Sequence, residues 1–321
     1  NRDEGSLVSV AEGVLLSGIR VLDLADERGA FCSRLLADLG ANVIRVDRPG
    51  ADRARGTGPF GKKTIPSEEN LGFSYCNTNK RAITLDIEQA AGQDLLRALV
   101  RKSDCLIETF SPGTLERAGL GFDILKQENP RLIHLAMTAF GQTGPRRHDR
   151  ACDIVSSAFG GQMYVSGAPS GPPTRLGGDQ TYYAASLAGA TAVLLAIRYR
   201  RLTGTGTYID LSMQEAVVST LDHVMVRYFH EGMVSRRQGG HYWNNVFHIF
   251  PCRDGHIQLT LLYQWETLLE WMASEGMAGD LTEDVWKEEA YRIAHINHII
   301  EVVEKWTLSH RTRDLFDMGQ A

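Results

Sequence analysis

Gly18-Ile-Arg-Val-Leu-Asp-Leu24 is an apolar run of strand type. Ala30–Leu39 has helical spacing and is closed by Gly40, and Asn42-Val-Ile-Arg-Val-Asp47 is a second strand-type run. Strand, helix and strand within about 30 residues make a βαβ unit. Such a crossover is right-handed and its two strands are parallel. This unit limits the chain to an α/β sheet with helices on its faces. The turn Asp26-Glu-Arg-Gly29 joins the first strand to its helix. No G-x-G-x-x-G follows that strand, so the dinucleotide fingerprint is missing. Asp47 ends the second strand, but alone it does not make a nicotinamide site.

The same alternation continues. Asn79-Lys-Arg-Ala-Ile-Thr-Leu-Asp86 and Cys105-Leu-Ile-Glu-Thr-Phe110 read as strands on either side of a helix Gln89–Val100. Asn129–Pro145 reads as a strand followed by a loop. A long helix is expected from Tyr182 to Arg201, with Ala188, Ala192, Leu195, Ala196 and Tyr199 at i, i+3, i+4 spacing. Its small residues allow another backbone to come close, and Arg198, Arg200 and Arg201 suit the negative end of the helix dipole. Thr203-Gly-Thr-Gly206 breaks it, and Tyr208–Met213 is a further strand. Beyond Ala216 a helix is expected to Gly232. Val246–Pro251 and His256–Leu262 flank Cys-Arg-Asp-Gly255, a hairpin turn. Helices over 264–275, 283–290 and 292–308 follow.

The net charge of −5 argues against nucleic acid, whose phosphates want a basic face. No run of 18 apolar residues predicts a membrane span. The start, Asn-Arg-Asp-Glu-Gly-Ser-Leu, lacks the pattern of a signal peptide. The five cysteines form no C-x-x-C pair and stand at no zinc spacing, which suits reduced thiols and a cytoplasmic chain without a metal.

Pro172-Pro-Thr-Arg175, then an Ala-rich helix ending in R-x-x-TGTGTYIDLSMQEA, resembles the middle of the family III coenzyme A transferases. Asn79-Lys-Arg81, Ser111-Pro-Gly-Thr-Leu-Glu-Arg-Ala-Gly-Leu-Gly121 and Asn129-Pro-Arg-Leu-Ile resemble further motifs of that family. The resemblance covers roughly 18 to 321. It implies a Rossmann-like parallel sheet domain over 1–224, a smaller α+β domain over 225–321, and an interlocked dimer. It also implies a continuation past 321 that returns to the first domain. It places CoA contacts at Arg48, Leu85, Thr109, Phe110 and Arg117, and active-site support at Asp153. Arg53 and Arg55 are further candidates for CoA phosphates, since guanidinium forks suit phosphate. His134, inside a strand, and His148, in a polar loop, are uncommitted. CoA and acyl-CoA are substrates in this family, and no cofactor is permanently bound.

Family chemistry needs one aspartate, which attacks an acyl-CoA thioester and becomes an acyl anhydride. Counted back from Thr203-Gly204 or forward from Pro172, its position falls on Tyr182, three residues after Asp179. A phenol, with a pKa of about 10, does not replace a carboxylate. The turn Asp23–Phe31 is also one residue shorter than the family's and lacks its proline. Together these imply a non-catalytic subunit paired with a homologous active chain, as in a heteromeric succinyl-CoA:benzylsuccinate CoA-transferase. The acceptor would be a small carboxylic acid. An active homodimer using Asp179, an acyl-CoA racemase of the same fold, and a CoA-binding scaffold protein stay open.

Overall fold

β1 (Arg20–Leu24) and β4 (Cys105–Glu108) lie side by side at the centre of a six-stranded sheet of order β3-β2-β1-β4-β5-β6. The other strands are β2 (Asn42–Asp47), β3 (Arg81–Thr84), β5 (Ile133–Thr138) and β6 (Thr207–Ser212). Every neighbouring pair is parallel. The computed structural model describes residues 14–50, 71–239, 241–242, 247–260 and 264–320. Arg53 and Arg55 lie outside the described residues.

β4 and β5 are buried at every position, as expected of strands covered on both faces. Side-chain alternation splits the core in two. Cys105 and Ile107 face a cluster with Val21, Leu36, Leu135 and Val193. Leu106 faces the opposite cluster with Leu22, Leu85, Leu96 and Leu120.

The helix Gln180–Thr203 covers the first face. By length and composition it could cross a membrane, yet Ala185, Gly189, Val193 and Ala196 bury it against the sheet. A Cβ on Gly189 would lie 3.1 Å from Leu135 and 3.3 Å from Cys32. The buried stripe is therefore the small-residue one. Of the five positions that marked the face in the sequence, only Ala196 is buried, while Leu195 and Tyr199 are exposed. Close backbone packing, rather than side-chain size, selects the inner face here.

Gly204 ends this helix with φ +79°, a conformation that favours glycine. Gly206 is needed for a different reason: a Cβ there would lie 2.0 Å from the Leu132 carbonyl oxygen. Gly206→Ala is expected to cost about 3 kcal/mol, the upper part of the overpacking range, because backbone must move. Urea denaturation measures this. A loss below about 1 kcal/mol would show that the turn relaxes freely.

The expected helix from Ala216 to Gly232 is two helices, Met213–Ser219 and Asp222–Glu231. Ser219 and Thr220 hydroxyls donate to the carbonyls of Ala216 and Val217, each at 2.7 Å. Such bonds occupy acceptors that a continuing helix would use.

The chain divides into two compact units: residues 1–164 with 174–235, and residues 165–173 with 236–321. The second contains the antiparallel sheet β7 (His241–Tyr242), β8 (Phe247–Cys252) and β9 (Gly255–Thr260). Its core gathers Phe250, Trp265, Leu281, Trp286 and Trp306. Glu275 accepts from the indole nitrogens of Trp271 (2.9 Å) and Trp306 (2.7 Å). Where one helix over 283–290 was expected, 3₁₀ turns Gly279–Thr282 and Asp284–Lys287 precede a helix Glu289–Ala294. The Asp284–Lys287 ion pair at 2.6 Å suits the i, i+3 alignment of a 3₁₀ turn.

Candidate active site at the switch point

In open α/β sheets a crevice forms at the carboxyl ends of strands where the order of connection reverses. Here that point lies between β1 and β4. Asp23, near the end of β1, is fully buried. Its carboxylate accepts from Ala25 N (3.1 Å), Ser33 Oγ (2.6 Å) and Lys80 Nζ (2.9 Å). Lys80 also donates to Ala30 O (2.8 Å) and Asn77 Oδ1 (2.9 Å). Asn79 reaches φ +64° beside it and donates to Asp38. The Asn79-Lys80-Arg81 motif thus ties the segment before β3 to the turn after β1. Sequence reasoning recognised the motif and missed this partner, because the two lie 57 residues apart.

The turn itself is bound to the end of β4. Asp26 N donates to Thr109 Oγ1 (3.0 Å), and Thr109 Oγ1 donates to Asp26 Oδ1 (2.9 Å). Arg28 is held by Asp26, Nη2 to Oδ2 at 2.7 Å, and donates from Nη2 to Thr109 O at 2.5 Å.

Four of the five expected CoA contacts share one side. Phe110 packs on the cluster that contains Leu85, and the Arg48 guanidinium stands 5.2 Å over its ring. Arg48 also lies 3.8 Å from Glu88. Arg117 lines a neighbouring cavity of about 730 Å³ with Gly113, Phe122, Arg147, His148 and Tyr208. Thr109 is the exception. One residue before Phe110, it points to the other side of the sheet, where its methyl would lie 2.8 Å from a Cβ on Gly29. The four residues Arg48, Thr109, Phe110 and Arg117 therefore do not line one cleft, and strand alternation is the cause.

Glu108 and His134 were not singled out together by the sequence. Burial raises the Glu108 carboxyl to about 8, partly offset by the Phe110 N–H that it accepts. Burial lowers His134 to about 3. Their side chains approach to 3.9 Å, and Tyr208 stands edge-on to the imidazole, 5.1 Å between rings. At neutral pH the imidazole is uncharged and the Glu108 carboxyl is mostly protonated, so His134 is a core residue. His148 lies exposed in its loop and accepts from Arg147 Nε at 3.0 Å.

The third part of the site is the start of the helix Gln180–Thr203. Asp153 is buried and accepts from Thr181 N (2.9 Å) and Thr181 Oγ1 (2.6 Å). Arg175 bridges Asp153 (2.9 Å) and Asp179 (3.1 Å). Asp179 is the residue before the helix and makes no capping bond from its side chain. Tyr182 lies in the first turn, half-buried on the core. Burial pushes its phenol up to about 12, and the nearby Arg28 charge opposes this only in part. Tyr182 is thus a neutral phenol at physiological pH. Among the described residues no group of three His, Cys, Asp or Glu side chains could hold a metal.

The family model for CoA-transferase family III matches residues 16–321. The chain belongs to this family. It is 36% identical over 304 residues to the beta subunit of the succinyl-CoA–L-malate CoA-transferase of Chloroflexus aurantiacus, covering 92% of this chain and 73% of that one. It is 30% identical over 313 residues to a subunit, BbsE, of the succinyl-CoA:(R)-benzylsuccinate CoA-transferase of Thauera aromatica, covering 95% and 76%. A CAIB/BAIF family protein from Brucella suis has the same fold, with TM-score 0.85, 28% identity, and 95% and 81% of the two chains covered. The family III chemistry is CoA transfer between acids. Two features around the switch point bear on it: a neutral Tyr182, and an Asp179 carboxylate already paired with Arg175.

Proposed function

We propose that this chain is the non-catalytic subunit of a heteromeric family III CoA-transferase. The enzyme moves CoA from succinyl-CoA to a small carboxylic acid, and a homologous chain supplies the attacking aspartate. The reading is carried by Tyr182, to which the count along the motif assigns the nucleophile position, and whose buried phenol stays protonated, with a pKa of about 12. In the family cycle a carboxylate oxygen attacks the thioester carbon, the C–S bond breaks, and CoA leaves as thiolate. The thiolate then attacks the aspartyl carbonyl of the anhydride, which releases the donor acid and leaves an aspartyl-CoA thioester. The acceptor carboxylate displaces the thiolate to form a second anhydride, and the thiolate attacks the acceptor's carbonyl, giving the new acyl-CoA and the free aspartate. A neutral phenol cannot start that sequence. Arg48, Leu85, Phe110 and Arg117 remain as the CoA-facing side of this subunit, with guanidinium groups suited to phosphate, and Asp153 remains as the acid that shapes the helix start.

Two relatives bear the names of enzyme subunits, which supports a heteromer with a succinyl-CoA donor. The outer face of the helix Gln180–Thr203 supports a partner chain. Leu187, Leu195, Tyr199 and Leu202 are 50–73% exposed there, a contiguous apolar surface of the kind that marks an interface.

A second reading has one observation in its favour. Asp179 is 60% exposed at a helix N-terminus, where the dipole favours an anion. That reading makes the chain an active homodimer. The test is turnover with succinyl-CoA and a panel of carboxylic acids. The purified chain alone is expected to be inactive, and activity is expected only with a co-expressed second family III chain. Full activity of the chain alone would favour Asp179.

A further inference from the structure

We propose that Asp26, Arg28 and Thr109 form a latch that closes the switch-point crevice of this chain to the pantetheine arm of CoA. The nucleotide end can then dock on the Arg48 and Phe110 side, but the thioester cannot reach Tyr182. The proposal rests on the CoA-transferase reading above and adds a residue that decides which part of CoA this subunit takes.

Three hydrogen bonds cross from the β1 turn to the end of β4. They run from Asp26 N to Thr109 Oγ1 at 3.0 Å, from Thr109 Oγ1 to Asp26 Oδ1 at 2.9 Å, and from Arg28 Nη2 to Thr109 O at 2.5 Å. Adjacent strands lie about 4.8 Å apart, and a crevice needs the chains to part beyond their carboxyl ends. These bonds keep them together where they would part. Asp26 fixes the guanidinium through Nε (2.9 and 3.0 Å) and Nη2 (2.7 Å), so Arg28 is committed to the crossing. Gly29 shows how closely the turn is pressed on the strand end. A Cβ there would lie 2.8 Å from Thr109 Cγ2 and 3.0 Å from Ala25 Cβ. The bonded crossing and the close contact at Gly29 are two signs of a closed passage.

The passage also divides two sides of the sheet. Phe110, under Arg48, packs on the cluster that contains Leu85 and Leu115. Tyr182 packs on the opposite cluster, which contains Ala185, Ile107 and Met137. A ligand touching both must pass the ends of β1 and β4, where Thr109 and Arg28 now stand.

Calorimetry with two probes, CoA and 3′-phosphoadenosine 5′-diphosphate, reads the latch. They share the nucleotide end, and only CoA carries the arm. In the parent chain the two Kd values are expected to agree within about twofold, because the arm finds no site. In Arg28→Ala, CoA is expected to bind at least about tenfold tighter than the nucleotide, whose own Kd stays unchanged. Thr109→Val, which keeps the side-chain shape, is expected to shift CoA in the same direction by less. It carries the test if Arg28→Ala does not fold. A parent chain that binds CoA tenfold tighter than the nucleotide would overturn the proposal. So would variants in which CoA gains nothing over the nucleotide or does not bind. If the nucleotide binds no form of the chain, the Arg48 and Arg117 assignment fails, while a gain for CoA alone on Arg28→Ala still upholds the latch.

Discussion

Lys80→Met is expected to destabilise the first unit by about 3–5 kcal/mol, the loss seen when one partner of a buried ion pair is removed. Asp23 is completely buried and Lys80 is 2% exposed, with 2.9 Å between their charged atoms. Methionine fills the space but leaves the carboxylate, among the described residues, with the Ser33 hydroxyl and the Ala25 N–H as donors. It also removes one donor from the Ala30 carbonyl and from Asn77 Oδ1, which still accepts from Arg45 Nη1 (2.9 Å). Urea denaturation measures the loss. The double variant Lys80→Met with Asp23→Leu should recover much of it, since replacing both partners removes the unpaired charge. A single-variant loss below about 1 kcal/mol would mean that the pair is not the anchor of the β1 turn.

The second expected result is an asymmetry between two carboxylates. Asp179→Ala should leave kcat/KM of the assembled enzyme within about threefold, while removing the partner chain's nucleophilic aspartate should lower it by about 10⁴ or more. Asp179 is an exposed N-cap residue paired with Arg175, and Arg175 keeps its second anchor, Asp153, when Asp179 is lost. A nucleophile differs in kind. Without it the anhydride does not form, and only binding and positioning remain. Steady-state kinetics of the two variant complexes check this. A large loss from Asp179→Ala, with KM unchanged, would make Asp179 the attacking group.

The sheet was legible because its strands are apolar runs separated by glycine and charged turns. β2 is found at Asn42–Asp47, as the pattern reads, and β1, β4 and β6 differ only at their ends. The inner face of the long helix was not, because spacing alone cannot tell a stripe of leucines left exposed from a stripe rich in glycine and alanine that meets the sheet. The helix Thr312–Gly319 was passed over, having only Leu315 buried. At the site, motifs put forward Arg48, Leu85, Phe110, Arg117 and Asp153 as candidates. They could not give the side of the sheet on which Thr109 falls, nor the Lys80–Asp23 and Arg28–Thr109 bonds, which join residues 57 and 81 positions apart. Glu108 and His134 acquire shifted titration chiefly through burial, which no local pattern encodes.

The most direct test of a missing nucleophile is covalent trapping during turnover. Hydroxylamine added to the working complex with succinyl-CoA converts an acyl-aspartyl intermediate to a hydroxamate, and peptide mass spectrometry locates it. The modified aspartate is expected on the partner chain, with the peptide carrying Asp179 and Tyr182 unmodified. A hydroxamate on Asp179 would contradict the proposal and make this chain the catalytic one.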